Sequence, residues 1–174
     1  MTEPSDAGVG PASEFGGHLP FHSFPDAFEG KSLEQRVQEL ADREEIRGLI
    51  ATYAHRVAHG LSNADLFTDD GAYIHRRSVD GEPEVTRGRA QLDAHYVARP
   101  SAEGVATPMI HNTLITLDGD VASSICSIEL RLWHDGASAL ASGYYRDRLR
   151  RDGGRWKFVL REVTFFHWGA ERTG

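Results

Sequence analysis

The sequence predicts an α+β domain in which helices come first and a large curved antiparallel sheet follows. Between Leu33 and His59 apolar residues recur at helical spacing, whereas from residue 107 onward they recur at every second position. Three glycine-bearing turns, at Asp118-Gly119, Asp135-Gly136 and Asp152-Gly153-Gly154, cut the second region into four long strand candidates. Helices followed by hairpin-linked strands bury themselves by laying the helices on the concave side of one sheet.

Residues 1–30, rich in Gly, Pro and Ser, are expected to form a flexible N-terminal extension ahead of a single domain over 31–174. Within the extension, Phe21, Phe24 and Phe28 of "LPFHSFPDAF" (19–28) would let its second half lie across the domain. Ser32 with Gln35 and Asp42 with Glu45 have capping-box spacing, which predicts a helical stretch from Leu33 to His59 broken near Asp42. Ile46, Leu49, Ile50, Tyr53 and Val57 give it one apolar face, and Gly60 stops it. "SNADLF" (62–67) reads as a short capped helix and "GRAQLDAHYVA" (88–98) as a third helix ended by Pro100. A weaker strand at "AYIHRRSV" (72–79) precedes the four long ones, "TPMIHNTLITL", "VASSICSIELRLWH", "ASALASGYYRDRLRR" and "RWKFVLREVTFFHW".

Bulk composition narrows the function. A chain of 174 residues with 40% hydrophobic and 26% charged content builds one core without staples. Its single cysteine, Cys126, forms no intramolecular disulfide and reads as a small buried hydrophobe, which suits a reducing, cytoplasmic setting. The first residues lack the basic flank and apolar run of a signal peptide, and no window reaches the roughly 20 apolar residues of a membrane helix. Neither export nor a membrane partner is expected. A net charge of -7 argues against nucleic acid, and the locally basic "RDRLRRDGGR" (146–155) reads as the wet side of a hairpin.

Strand parity then sorts the polar residues. It sets His111 on the face of Thr113, Ile115 and Leu117, and His134 on the face of Leu132, Leu130 and Ile128. Ser142 and Tyr144 share a face of the next strand, and Tyr73, His75 and Arg77 share a face of the early one. Such groups suit an enclosed, mostly apolar small-molecule pocket. Histidine both accepts and gives a proton near neutrality, and hydroxyls hold an oxygen on which charge develops. Together they serve proton abstraction beside a carbonyl, with loss of water, double-bond migration or ring closure. The bland alternative is that each histidine is a hydrogen-bonded core or rim residue. A histidine trio of His75, His111 and His134 also raises a metal site, but HxH and HExxH spacings are absent, so no metal is expected.

"LADREEIRGLIATYAHRVAHG", "LFTDDGAYI", "TRGRAQL", "MIHNTLITLDGDVA" and "GYYRDRLRRDGGRWKFVLREV" resemble the SnoaL-like proteins of the nuclear transport factor superfamily over about Leu33 to Val163. The resemblance implies a cone-shaped, strongly curved half-barrel sheet closed by N-terminal helices around a pocket. It also implies a cofactor-independent dehydratase, isomerase or cyclase for a hydrophobic oxygenated cyclic or polyketide-like substrate, or else a non-catalytic binding or accessory subunit. The active-site pattern is partly similar to scytalone dehydratase, which implies His111 and His134 as catalytic and Ser142 and Tyr144 as substrate-binding residues. That pattern's helix tyrosine and aspartate fall near Val57 and Ala58, so the orienting carboxylate is missing, and His75 and Tyr53 are the expected substitutes. A homo-oligomer, dimer or trimer, is expected because an open sheet tends to cover its exposed face.

Overall fold

The first helix, α1, runs unbroken from Leu33 to Ala58. Ser32 starts it with a reciprocal capping box: its Oγ accepts from Gln35 N at 3.2 Å, and Gln35 Oε1 accepts from Ser32 N at 2.8 Å. The break expected near Asp42 does not occur. The Asp42 carboxylate accepts hydrogen bonds from Gln38 (3.1 Å), from the Trp156 indole (3.3 Å) and from Arg151, so it ties the helix to the sheet instead of capping a new helix. The computed structural model describes residues 28–97, 105–134 and 137–170, and the side chain of His134 lies outside that set.

A 3₁₀ turn at Ala64–Leu66 leads into β1 (Phe67–Arg76). A four-residue strand β2 (Glu84–Arg87), not foreseen in the sequence, returns alongside it and feeds α2 (Arg89–Val97). Four long strands follow: β3 (Val105–Asp118), β4 (Val121–His134), β5 (Ala137–Asp152) and β6 (Arg155–Ala170). They build one curved, unclosed sheet in the order β2-β1-β6-β5-β4-β3. Every neighbouring pair is antiparallel except β1 and β6, which run parallel. This is the α+β architecture expected.

The core lies between α1 and one face of the sheet, where Ile46, Ile50 and Tyr53 cluster with Cys126, Ile128 and Tyr145. On β4 the even-numbered residues therefore face the helix. Register carries that face outward across the sheet: Cys126 pairs with Tyr145, Ser124 with Asp147, and Asp147 with Arg161. Gly143 lets β5 and β6 approach closely, since a Cβ there would stand 2.2 Å from the Thr164 carbonyl oxygen.

A bulge in β3 changes what its sequence parity means. The register shifts between His111 and Leu114, with Asn112 at φ 51°. One extra residue in a ladder exchanges the two faces beyond it. Ile115 and Leu117 thus pair with Ser124 and Ala122 on the helix-covered face, whereas His111 pairs with Ser127 on the open one.

Candidate functional site

The helix-covered face holds a polar centre among aromatic rings. Arg161 and Asp147 are both 0% exposed, with Arg161 Nη1 donating to Asp147 Oδ2 at 3.4 Å. Ser124 Oγ donates to the same oxygen at 2.8 Å. The guanidinium lies 3.9 Å from the Tyr145 ring centroid, 4.2 Å from Tyr53 and 4.6 Å from Phe158. Its Nε and Nη2, the edge that forms a two-pronged fork, make no hydrogen bond to described residues, and neither does Asp147 Oδ1. Burial works against the charge on Arg161, but Asp147 together with Cys126, Tyr145 and Tyr53 outweighs it, and the guanidinium holds its proton above the ordinary range. Burial also pushes the Asp147 carboxyl up, against the pull of Arg161 and Ser124. The neighbouring Cys126 thiol is pushed up by burial to about 12, so it stays neutral and is no nucleophile.

Tyrosines and histidines extend this centre toward β1 and α2. Tyr96 donates its hydroxyl to that of Tyr53 at 3.2 Å, and burial, then Tyr53, hold the Tyr96 phenol well above its usual range. His95 lies between Tyr73 and Tyr96, with ring centroids 5.3 and 5.2 Å away. His75 stands edge-on to Phe165 at 5.7 Å, its Nδ1 3.7 Å from the Glu84 carboxylate. On the β1–β6 ladder Tyr73 faces Arg161 and His75 faces Val163. The arrangement combines a fixed cation, hydroxyl donors and imidazoles on one enclosed surface.

The residues foreseen from sequence divide between the two faces. Tyr53 and His75 join the helix-covered face. Ser142 and Tyr144 do not face this enclosure as expected: they pair with Glu129 and Ser127 on the open face, because the odd-numbered residues of β5, Tyr145 and Asp147, turn inward. Tyr144 there meets Phe166 (6.3 Å) and the Arg146 guanidinium (5.2 Å). His111 is exposed on the open face for the bulge already described, so it and His75 stand on opposite sides of the sheet. His134 ends β4 opposite Ala137.

The family follows from the chain itself. Residues 38–162 match the SnoaL-like domain. The chain belongs to that family. No curated protein matches it. An NTF2-like protein with a cystatin-like fold from Novosphingobium aromaticivorans is 27% identical, with 76% of this chain and 87% of that chain covered and a TM-score of 0.66. Two more distant structures share the fold. A hexachlorocyclohexane dehydrochlorinase (LinA) is 16% identical over 80% of this chain and 95% of its own, with a TM-score of 0.67. A chain assigned as the β subunit of an aromatic-ring-hydroxylating dioxygenase, also from N. aromaticivorans, is 22% identical over 75% and 92%, with a TM-score of 0.63.

Several buried polar groups of this SnoaL-like domain escaped the sequence reading. Arg161 and Asp147 sit in runs, "VLREV" and "RDRLRR", whose charges look solvated. Only the parity of Tyr145 and Leu149 signals that Asp147 turns inward. Asn63 is fully buried with neither amide atom bonded to described residues. A cleft of about 390 Å³ lies elsewhere, between Gln35, Gln38 and Asp42 of α1 and the Leu117–Asp120 turn. Its charged floor is consumed by the Asp42–Arg151–Asp120 bridge that fastens α1 to the sheet. No helix among the described residues is long and apolar enough to cross a membrane, and no group of three His, Cys, Asp or Glu there is arranged to hold a metal ion.

Proposed function

We propose that this SnoaL-like domain is a cofactor-independent acid/base enzyme, a dehydratase, isomerase or cyclase, acting on a hydrophobic oxygenated cyclic or polyketide-like small molecule. The observation that supports this reading is the Arg161 guanidinium, caged by Tyr53, Tyr145 and Phe158 with its Nε–Nη2 edge uncommitted. An oxygen gaining negative charge there meets donors that are already oriented, and losing one such donor costs roughly 3–4 kcal/mol of barrier. His75 lies two residues beyond the Arg161 partner Tyr73, about 7 Å along the strand. On this reading a carbonyl is held at Arg161 with its neighbouring C–H at the imidazole. The imidazole takes the proton and the electron pair moves onto the carbonyl oxygen beside Arg161; when the pair returns, the imidazolium gives its proton back either to carbon or to a β-hydroxyl, which then leaves as water. His134 is the second candidate proton carrier.

Deuterium incorporation beside the carbonyl of a panel of cyclic ketones, followed by NMR, tests this. Exchange is expected with the intact chain and to fall roughly 10²–10⁴-fold in His75→Ala or His134→Ala. Unchanged exchange in both variants overturns the assignment. A non-catalytic binding or accessory role is the second reading, favoured by Ala58 at the end of α1, where the resembling pattern has a carboxylate. It predicts ketone binding without exchange.

A homo-oligomer, dimer or trimer, belongs to the same proposal. Met109, Leu114, Trp133 and Phe166 are each exposed on the open face, apolar side chains that a second copy would cover.

A further inference from the structure

The N-terminal half of α1 carries an apolar stripe on its solvent side. Leu33 is 78% exposed, Val37 57% and Leu40 54%. Spacings of four and three put them on one side of the helix. The buried Asp42 and Ile46 lie on the other side, toward the sheet.

A second copy of α1 is a poor occupant. The stripe continues as Glu44 and Arg47, so its apolar run lasts barely more than one heptad, whereas a coiled coil needs about three or four. Three side chains also fall far short of the roughly 1,200–2,000 Å² buried by a stable protein–protein interface.

We propose that residues 19–27 of the same chain dock on this stripe. The chain reaches α1 at the stripe's edge: Lys31 N donates to the Phe28 carbonyl at 3.3 Å, and the Arg36 guanidinium lies over the Phe28 ring at 5.9 Å. Arg36 is the position between Leu33 and Val37 that flanks the stripe. Nine residues reach up to about 30 Å, and Leu33 to Leu40 span about 10 Å of helix, so length is no obstacle. Leu19, Phe21 and Phe24 supply the apolar groups, and Pro20 and Pro25 lower the entropy lost on docking. A short tether gives an effective concentration on the order of millimolar, which lets a patch too small for a separate molecule suffice.

Hydrogen exchange read by mass spectrometry tests the docking in three proteins: the full chain, the chain lacking residues 1–27, and the full chain with Phe21→Ser and Phe24→Ser. Amides of Leu33–Leu40 are expected to exchange about tenfold more slowly in the full chain than in either variant, at every protein concentration. Val37→Asp in the full chain is expected to release the same amides. Exchange in β4–β6 serves as the control that each variant is folded. Equal exchange in all three proteins overturns the proposal. So does protection that survives the deletion and grows with concentration, which assigns the stripe to a second copy.

Discussion

Asp147 and Arg161 show how much hangs on single side chains here. Each is buried completely, and each is the other's only charge-bearing hydrogen-bond partner among described residues. Removing one half of such a pair leaves a charge in a medium that solvates it poorly. Asp147→Asn is therefore expected to cost about 3–5 kcal/mol in urea unfolding, while Asp147→Leu combined with Arg161→Met restores most of the loss. A loss in the double variant equal to the sum of the two single losses would show that the pair is not coupled. Sequence parity came close to these residues and missed them for a physical reason. It read "RDRLRR" as a solvated face, and Arg148 and Arg150 are indeed exposed, but the alternation that turns them out turns Asp147 in. For His111 the counting failed at Asn112, whose left-handed backbone inserts the bulge. Asparagine tolerates that conformation, yet one asparagine inside an alternating run is too small a signal to move a register.

Elements were easier to read than their attachments. The long strands, α1 and α2 all stand close to where periodicity and turns put them, because each is long enough for its pattern to repeat. β2, four residues long, offers no period to detect. At Asp42 and Glu45 the capping-box spacing is present, but tertiary partners claim both acids: Glu45 accepts from the Trp156 backbone N–H at 2.9 Å, and Asp42 binds Arg151. This clamp joins the helix to the sheet and carries a pH signature. Burial opposes the Asp42 carboxylate, but hydrogen bonds from Arg151, Trp156 and Gln38 together hold it below its ordinary value of 3.8. A carboxyl depressed on folding stabilises the protein above its unfolded value, and the contribution is lost as pH falls through the folded one. Asp42→Ala is expected to lose about 1–3 kcal/mol at neutral pH and to approach the intact chain as pH falls below the ordinary carboxylate value, measured by urea midpoints across that range.

For the molecule as a whole, the order of elements and the run of hairpins already implied one curved sheet with a helix across it. The sequence could not say which face of each strand would be enclosed, since a single bulge reverses that assignment. The open face has its own test. If self-association covers Met109, Trp133 and Phe166, sedimentation of the intact chain should give a dimer or trimer, and Trp133→Ser with Phe166→Ser should return it to monomer. A monomer at all concentrations removes that proposal. The parallel ladder between β1 and β6 has a consequence for the chain as it is being made. Thr68 hydrogen-bonds to the Phe158 carbonyl 90 residues later, so at a synthesis rate of about 5–20 residues per second β1 waits roughly 5–20 s for its neighbour to leave the ribosome. Until then the nascent strand has an unpaired edge, and a chaperone that shields Phe67–Arg76 would serve this protein best in that interval.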